Sequence, residues 1–138
     1  MCLICDEKPK VKRTKKEMTF YKILGVCRTG ELITPYQLRH TELGAMNVDA
    51  DLKDFYTVKA SGTLDPTYGI CAGGFHLMTN KRQAQKELNW LNAVCTSSSV
   101  PQYRIYKAVV PEGTAYVEGY WDDGIKSVVV KKVRYEKL

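Results

Sequence analysis

Apolar side chains recur with helical spacing in one stretch of the chain, residues 80–95. Asn80 is placed to cap the first turn, and Gln83 follows three residues later as in a capping box. Four apolar positions separated by four, three and four residues share one face of such a helix: Ala84, Leu88, Leu91 and Cys95. The sequence therefore predicts one principal helix over about 80–95, with this stripe packed on a sheet.

Strand-like patterns dominate the rest of the chain. Residues 18–27 (MTFYKILGVC), a turn at Thr29-Gly30 and the short run before Pro35 predict an N-terminal hairpin. The last third holds three runs rich in valine and tyrosine, and turn signals at 111–113 and 122–124 separate them. These runs predict a C-terminal β-meander whose strands bury one face and expose the other.

The middle of the chain is less regular. Residues 36–54 show no sustained period and predict an irregular segment with at most one helical turn, and FYTVKA (55–60) fits a short strand. The fold class that these patterns favour is α+β. We expect an N-terminal hairpin, one principal helix and a curved mixed or antiparallel sheet that ends in the C-terminal meander.

Charge divides the chain into two parts. The net charge is +6, and the segment from 8 to 16 holds six basic residues: Lys8, Lys10, Lys12, Arg13, Lys15 and Lys16. We predict a basic N-terminal segment over 1–17 and a single α+β domain over 18–138. The segment is either a solvated leader or an arm that attracts nucleic acid or an acidic protein surface.

Location follows from the absence of targeting signals. No apolar run resembles a signal peptide or is long enough to span a bilayer, so we expect a cytoplasmic protein with no membrane partner. Five cysteines make an odd number, and reduced thiols are expected in that compartment.

The opening residues, MCLICDEK, allow three interpretations. Cys2 could become an N-terminal nucleophile after removal of Met1, or Cys2 and Cys5 could be half of a metal site, or both could be inert thiols near the core. The remaining cysteines and histidines are scattered singly. We favour inert thiols and expect no catalytic residue, no metal and no cofactor.

A second candidate site precedes the helix, in GGFHLMTNKRQA. This stretch loosely resembles the part of ADP-ribosyltransferase-like folds that forms the NAD pocket, with His76 where those enzymes usually have a tyrosine. The resemblance implies a ligand site formed by Tyr21, Gly73, Gly74, His76 and Glu118. It also implies an alternative function, an NAD- or nucleotide-binding enzyme. A histidine at the edge of the core is the simpler interpretation of His76.

Aromatic residues cluster in the last third: Tyr103, Tyr106, Tyr116, Tyr120, Trp121 and Tyr135. They alternate with cations at Arg104, Lys107, Lys126, Lys131, Lys132 and Arg134. Such a combination fits a platform on which single-stranded nucleic acid stacks, although tyrosines also simply cover sheets.

Short motifs along nearly the whole chain resemble a family of small proteins of tailed bacteriophages and of gut bacteria that carry them. The matching motifs are at Met1 to Ile4, Tyr21 to Leu24, Leu32 to Tyr36, Gly74 to His76 with Ala84, and Val110 to Gly119. The resemblance implies a source and an architecture but no activity. We therefore expect a phage-type accessory protein, a non-catalytic binding module for a host protein or nucleic acid.

Overall fold

The computed structural model describes residues 3–5, 11–35, 39–48, 55–59, 67–71, 74–120 and 125–138. Within these residues the chain forms thirteen strands and one helix. The first strands are β1 (Leu3–Cys5), β2 (Lys12–Arg13), β3 (Met18–Val26), β4 (Leu32–Ile33), β5 (His40–Thr41), β6 (Met46–Val48) and β7 (Phe55–Lys59). They are followed by β8 (Thr67–Cys71), β9 (Phe75–Met78), α1 (Lys81–Val94), β10 (Gln102–Val110), β11 (Ala115–Tyr120), β12 (Lys126–Val130) and β13 (Lys132–Lys137).

The strands form one sheet in the order β6-β13-β10-β3-β9-β12-β11-β1-β8-β7. Three short strands lie off this path, because β2 pairs with β11 and β4 pairs with both β3 and β5. All pairs between described strands are antiparallel. The fold is thus α+β, with a predominantly antiparallel sheet and a single helix among the described residues.

The sheet must be strongly curved. β12 and β13 are separated only by Lys131, yet they lie four places apart in the strand order. Four strand spacings in a flat sheet would be about 19 Å, whereas the two peptide units from Val130 to Lys132 can span only about 7 Å. The sheet therefore curls until β12 meets β13, and residues 126–137 act as one bent strand.

The main core fills the inside of this curve. Alternate residues of β3, β9, β10, β12 and β13 point to one face, called here the inner face. Its buried members are Phe20, Leu24, Leu32, Leu77, Tyr106, Ala108, Val110, Val128, Val130, Val133 and Tyr135. Val129 is as fully buried as Val128 and Val130. The expectation that β12 would have one solvated face is therefore wrong, because four consecutive residues of this strand, Ser127 to Val130, are buried.

The helix covers the opposite face of β3 and β10. Asn80 caps it as predicted, since its Oδ1 accepts hydrogen bonds from the main-chain N–H of Arg82 (2.8 Å) and of Gln83 (3.3 Å). The predicted stripe is confirmed. Ala84 and Leu91 are fully buried, and Leu88 and Cys95 pack beside them against a second cluster: Ile23, Ile33, Met78, Val100 and Tyr103. No helix of the described residues is long and apolar enough to cross a bilayer.

The predicted C-terminal meander is confirmed for β11 and β12 and is wrong for β10. Among β10 to β13 only β11 and β12 pair as neighbours in sequence, whereas β10 pairs with β3 and β13. Turn residues specify where the chain reverses but not which strand lies beside it. The irregular middle is corrected as well, because residues 39–48 contain β5 and β6 and no helical turn.

The basic segment is attached to the sheet over residues 12–14. Lys12 and Arg13 pair with Tyr116 and Ala115 as strand β2. Thr14 is buried and its hydroxyl donates to the carbonyl of Pro111 at 2.7 Å. A detached, solvated leader does not describe this part of the segment. The division into a 1–17 segment and an 18–138 domain stays a prediction.

Candidate functional site

Two of the predicted ligand residues lie together. Tyr21 of β3 pairs with Met78 of β9, and His76 lies two residues back on the same face of β9, towards the helix. With Pro35 and Glu87 they line a narrow cleft between β3 and β9. The room inside is about 20 Å³, which fits roughly one water molecule.

The glycines of the same motif are only partly described. Gly74 is buried and has a φ of 79°, a left-handed conformation that favours glycine, so it turns the chain sharply into β9. Gly73 lies outside the described residues.

The predicted acid, Glu118, lies on the other face of the sheet. It is cross-strand from Val128, and Val128 is cross-strand from Leu77 of β9, so these three side chains share the inner face. His76 and Tyr21 point to the opposite face. The structure therefore does not bring the five residues of the predicted NAD-type site into one pocket. Instead, Glu118 forms an ion pair with Lys12 at 3.6 Å.

Four of the six predicted basic residues are described, and all four are exposed: Lys12, Arg13, Lys15 and Lys16. Arg13 donates to the carbonyl of Gly113 at 3.0 Å, and Lys15 and Lys16 lie at the bend between β2 and β3. Lys8 and Lys10 lie outside the described residues, as does Cys2. Cys27 and Cys95 are free, half-buried thiols.

The predicted aromatic platform is mostly core. Tyr103, Tyr106 and Tyr135 are buried, so their rings are not available for stacking. Two of the interleaved cations, Lys107 and Arg134, lie at 4.0 Å and 3.1 Å from the carboxylate of Glu136. The sequence could not distinguish buried from exposed tyrosines, because strand tyrosines occur in both settings. Trp121 lies outside the described residues.

An exposed part of the platform remains on β11. Tyr116, Glu118 and Tyr120 alternate along one face of this strand, and Tyr120 is 40% exposed. Lys12 is cross-strand from Tyr116 and Lys126 is cross-strand from Tyr120, so both cations belong to the same face. We call these five residues the β11 face. Here aromatic rings and cations are adjacent.

Sequence reasoning missed Lys22. It occupies an inner-face position between Phe20 and Leu24, and its Nζ donates to the carbonyl oxygen of His76 at 2.9 Å. Burial, and secondarily the positive charge of Arg39, lowers the pKa of Lys22 to about 8. The only signal in the sequence is a lysine at an inward position of the alternating FYKIL pattern.

A wide groove at the turn between β5 and β6 was also not predicted from the sequence. This groove has a volume of about 600 Å³, and its lining includes Glu31, His40, Thr41 and Asn47. His40 and Glu31 lie 3.3 Å apart at an exposed position. The groove is open and lined by ordinary surface residues.

Comparison with known proteins identifies no relative: no family model matches the chain, and neither does any curated protein or solved structure. The functional argument therefore depends on the geometry of these sites.

Proposed function

We propose that this protein is a non-catalytic binding module that binds single-stranded nucleic acid on the β11 face, next to the bend at Lys15 and Lys16. The carrying observation is the cross-strand pair of Tyr120, an exposed ring, and Lys126, an exposed cation. Single-stranded nucleic acid is held by stacking of bases on aromatic rings and by cations that follow the phosphate backbone. The β11 face offers both on one strand.

The neighbouring basic residues extend this surface. β2 lies beside β11 and leads into the bend, so the exposed Lys15 and Lys16 follow Lys12 of the β11 face along the chain, whereas Arg13 alternates to the opposite face of β2. Their charges would release counterions when a phosphate chain binds, and binding would weaken as salt rises.

Glu118 is the one carboxylate of the β11 face, and its ion pair with Lys12 reduces the positive charge available to phosphate. We therefore expect Glu118 to limit the affinity for nucleic acid. This arrangement also supports the proposal over a catalytic one, because Glu118 lies across the sheet from Tyr21 and His76. An NAD-binding enzyme of the kind implied by the local resemblance would need these residues in one pocket, and the cleft beside His76 has room for roughly one water.

The phage-type resemblance gives this proposal a context. An accessory protein made in the cytoplasm of a bacterial host meets single-stranded nucleic acid as mRNA and as replication intermediates. An acidic surface of a host protein is the competing partner, since it too would be attracted by the basic edge of the sheet.

Fluorescence anisotropy with labelled oligonucleotides of about 10 nucleotides, at several salt concentrations, tests the proposal. Tyr120→Ala should weaken binding roughly 5- to 150-fold, because one stacked base contributes about 1–3 kcal/mol, whereas Tyr120→Phe should retain binding. The double variant Lys15→Gln/Lys16→Gln should reduce the slope of log K against log salt by about 1.4. The matched control is Lys81→Gln/Lys86→Gln, which removes the same charge from exposed helix positions.

Two results would contradict the proposal. The first is no salt-dependent binding of single-stranded DNA or RNA. The second is equal binding to polyglutamate together with no effect of Tyr120→Ala, which would assign the basic surface to an acidic protein partner instead.

A further inference from the structure

The groove at the turn between β5 and β6 is large enough for a ligand. Its volume of about 600 Å³ lies within the range of about 300–1,000 Å³ that ligand pockets occupy. Its side chains are of ordinary kinds, but their arrangement is not. His40 and Thr41 are neighbours on β5 and point to opposite faces of that strand, yet both line the groove. The groove therefore bends around the margin of the β4–β5 pair instead of lying over one of its faces.

Two carboxylates lie opposite each other where the β4–β5 ladder ends. Leu32 pairs with Thr41 in the final step of this ladder, so the antiparallel register continues with Glu31 opposite Glu42. Both glutamates are exposed, and both line the groove. Like charges in opposite positions destabilise a pair of strands. None of the ion pairs between described residues includes Glu42, so its carboxylate has no balancing cation there.

The lining of the groove is one-sided in charge. The described residues that form it include Glu31 and Glu42 but no lysine or arginine, although the whole chain has 21 basic residues against 15 acidic ones. His40 adds an imidazole, whose Nδ1 lies 3.3 Å from the Glu31 carboxylate. A groove of this charge attracts a cation and repels phosphate groups. Its occupant is therefore chemically distinct from nucleic acid.

Apolar surface lies beside the carboxylates. Leu32, a buried residue of the inner face, belongs to the lining, as do Leu43, which is 36% exposed, and Ala45. Lysine and arginine side chains suit such a surface, because their methylene groups cover apolar atoms while the charged head stays in a polar environment. A bare metal ion would leave the apolar part of the lining without a partner.

The main chain of β5 offers an unpaired edge. The N–H of Thr34 donates to the carbonyl of Arg39 at 2.8 Å, so these two residues form a hydrogen-bonded pair of the antiparallel ladder. Such pairs alternate with residues whose N–H and C=O point away from the partner strand, and His40, the next residue, is one of these. No described strand bonds to β5 on that side, since β5 pairs with β4 alone. An extended chain can bond to this edge, as peptides do when they add to a sheet.

We propose that this groove binds an extended peptide segment of a partner protein and holds a lysine or arginine side chain of that segment between Glu31 and Glu42. The two carboxylates accept charge-assisted hydrogen bonds from the ammonium or guanidinium group. Leu43 and Ala45 cover its methylene groups, and the main chain of the segment adds to β5 at His40. The site shares no residue with the β11 face and does not depend on nucleic-acid binding.

Fluorescence anisotropy of labelled pentapeptides, titrated with the full chain, tests the site. The probe is Thr-Val-Lys-Val-Thr with capped ends, because β-branched residues favour an extended conformation. A matched probe has glutamate in place of the lysine. We expect the lysine peptide and its arginine counterpart to bind saturably. The glutamate peptide should bind at least about tenfold more weakly, since it brings a like charge into the groove.

Variants of the protein identify the carboxylates. Glu31→Gln/Glu42→Gln should weaken binding of the lysine peptide about tenfold, since one exposed ion pair contributes up to about fivefold. Both side chains are exposed, so this variant should fold normally. The matched control is Glu17→Gln/Glu112→Gln, which removes the same charge from exposed positions outside the groove and should keep the full affinity.

Amide hydrogen exchange adds a measurement of the main-chain contact, because the bound peptide should slow exchange at His40. Three results would each overturn the proposal: equal binding of the lysine and glutamate peptides, full affinity in Glu31→Gln/Glu42→Gln, or unchanged exchange at His40. A melting temperature that rises with zinc or magnesium chloride, in a chain that binds no peptide, would also overturn it and would identify a metal site instead.

Discussion

Thr14 and Thr114 exchange two hydrogen bonds across the start of the sheet. The N–H of Thr14 donates to the carbonyl of Thr114 at 3.0 Å, and the N–H of Thr114 donates to Oγ1 of Thr14 at 2.9 Å. Gly113 adds a third, from its N–H to the carbonyl of Thr14 at 2.8 Å. The basic segment is therefore fastened to the β10–β11 turn immediately before its lysine pair.

This fastening predicts that Thr14→Val destabilises the protein. Valine has the shape of threonine but cannot accept from the buried N–H of Thr114, so we expect a loss of about 2 kcal/mol in the free energy of unfolding. Urea denaturation measures it. Thr19→Val, at an exposed position of β3, is the control and should change stability by less than about 0.5 kcal/mol. An equally small effect at Thr14 would mean that the segment is not held in this way.

Lys22 predicts an unusual dependence of stability on pH. Because its pKa is about 8 in the folded protein and 10.5 in the unfolded chain, the unfolded state binds more protons between these values. Stability should therefore rise with pH across this window, by about 3 kcal/mol in total. Burial raises the pKa of Tyr135 above its ordinary value of 10.0, so at the upper end of the window this phenol ionises only in the unfolded chain and there opposes the effect of Lys22.

The measurement is the free energy of unfolding from pH 7.5 to 10 for the unaltered chain and for Lys22→Met. Other groups titrate in both proteins, so the difference between the two curves isolates Lys22. We expect the free energy of unfolding of the unaltered chain to rise relative to that of Lys22→Met as the pH increases. Parallel curves would show that the ammonium group is well hydrated in the folded state.

Replacing Gly25 by a larger residue should create a steric clash that a second substitution can relieve. A Cβ at this position would lie 2.8 Å from Cγ1 of Val100 and 3.2 Å from Cγ1 of Ile33. Gly25→Ala should therefore cost about 1–3 kcal/mol of stability. In the Val100→Ala background the cost should be smaller, and a double-mutant cycle by chemical denaturation gives the coupling energy. Additive effects would contradict close packing of these residues.

Neighbouring helix residues should respond very differently to truncation. Leu91 is buried at the centre of the stripe, so Leu91→Ala should cost about 2–5 kcal/mol. Trp90 is larger but 50% exposed on the outer side of the helix, and Trp90→Ala should cost much less. Thermal or urea unfolding of both variants decides whether the helix is oriented as described. The reverse order would place the opposite face on the sheet.

Local signals predicted the helix well. Asn80 and the 84/88/91/95 stripe lie within one stretch of chain, and their spacing alone defines the cap and the buried face. The sheet order could not be predicted in the same way, since β10 pairs with β3 across about 80 residues of sequence. The turn residues at 111–113 are present in the sequence. They do not show that β10 pairs with β3 and β13 instead of with β11, the next strand along the chain.

For the candidate sites too, local sequence signals were predictive and the arrangement of distant residues was not. Tyr21 and His76 were predicted together and do lie on one cleft, but Glu118 was assigned without knowledge of which face it occupies. Lys22 carries no motif, and only the fold shows that its amine reaches the carbonyl oxygen of His76. Tyr135 was one of the candidate aromatics of the stacking platform, although it is among the most deeply buried side chains.

The bend at Lys131 has a consequence for how the protein unfolds. Its N–H donates to the carbonyl of Ala115 at 3.0 Å, and the residues on either side of it belong to strands that face different neighbours, β9 and β11 before it and β10 and β6 after it. Fraying at this point would release four partners at once, so amide protons on both sides of Lys131 should exchange only when the whole molecule opens.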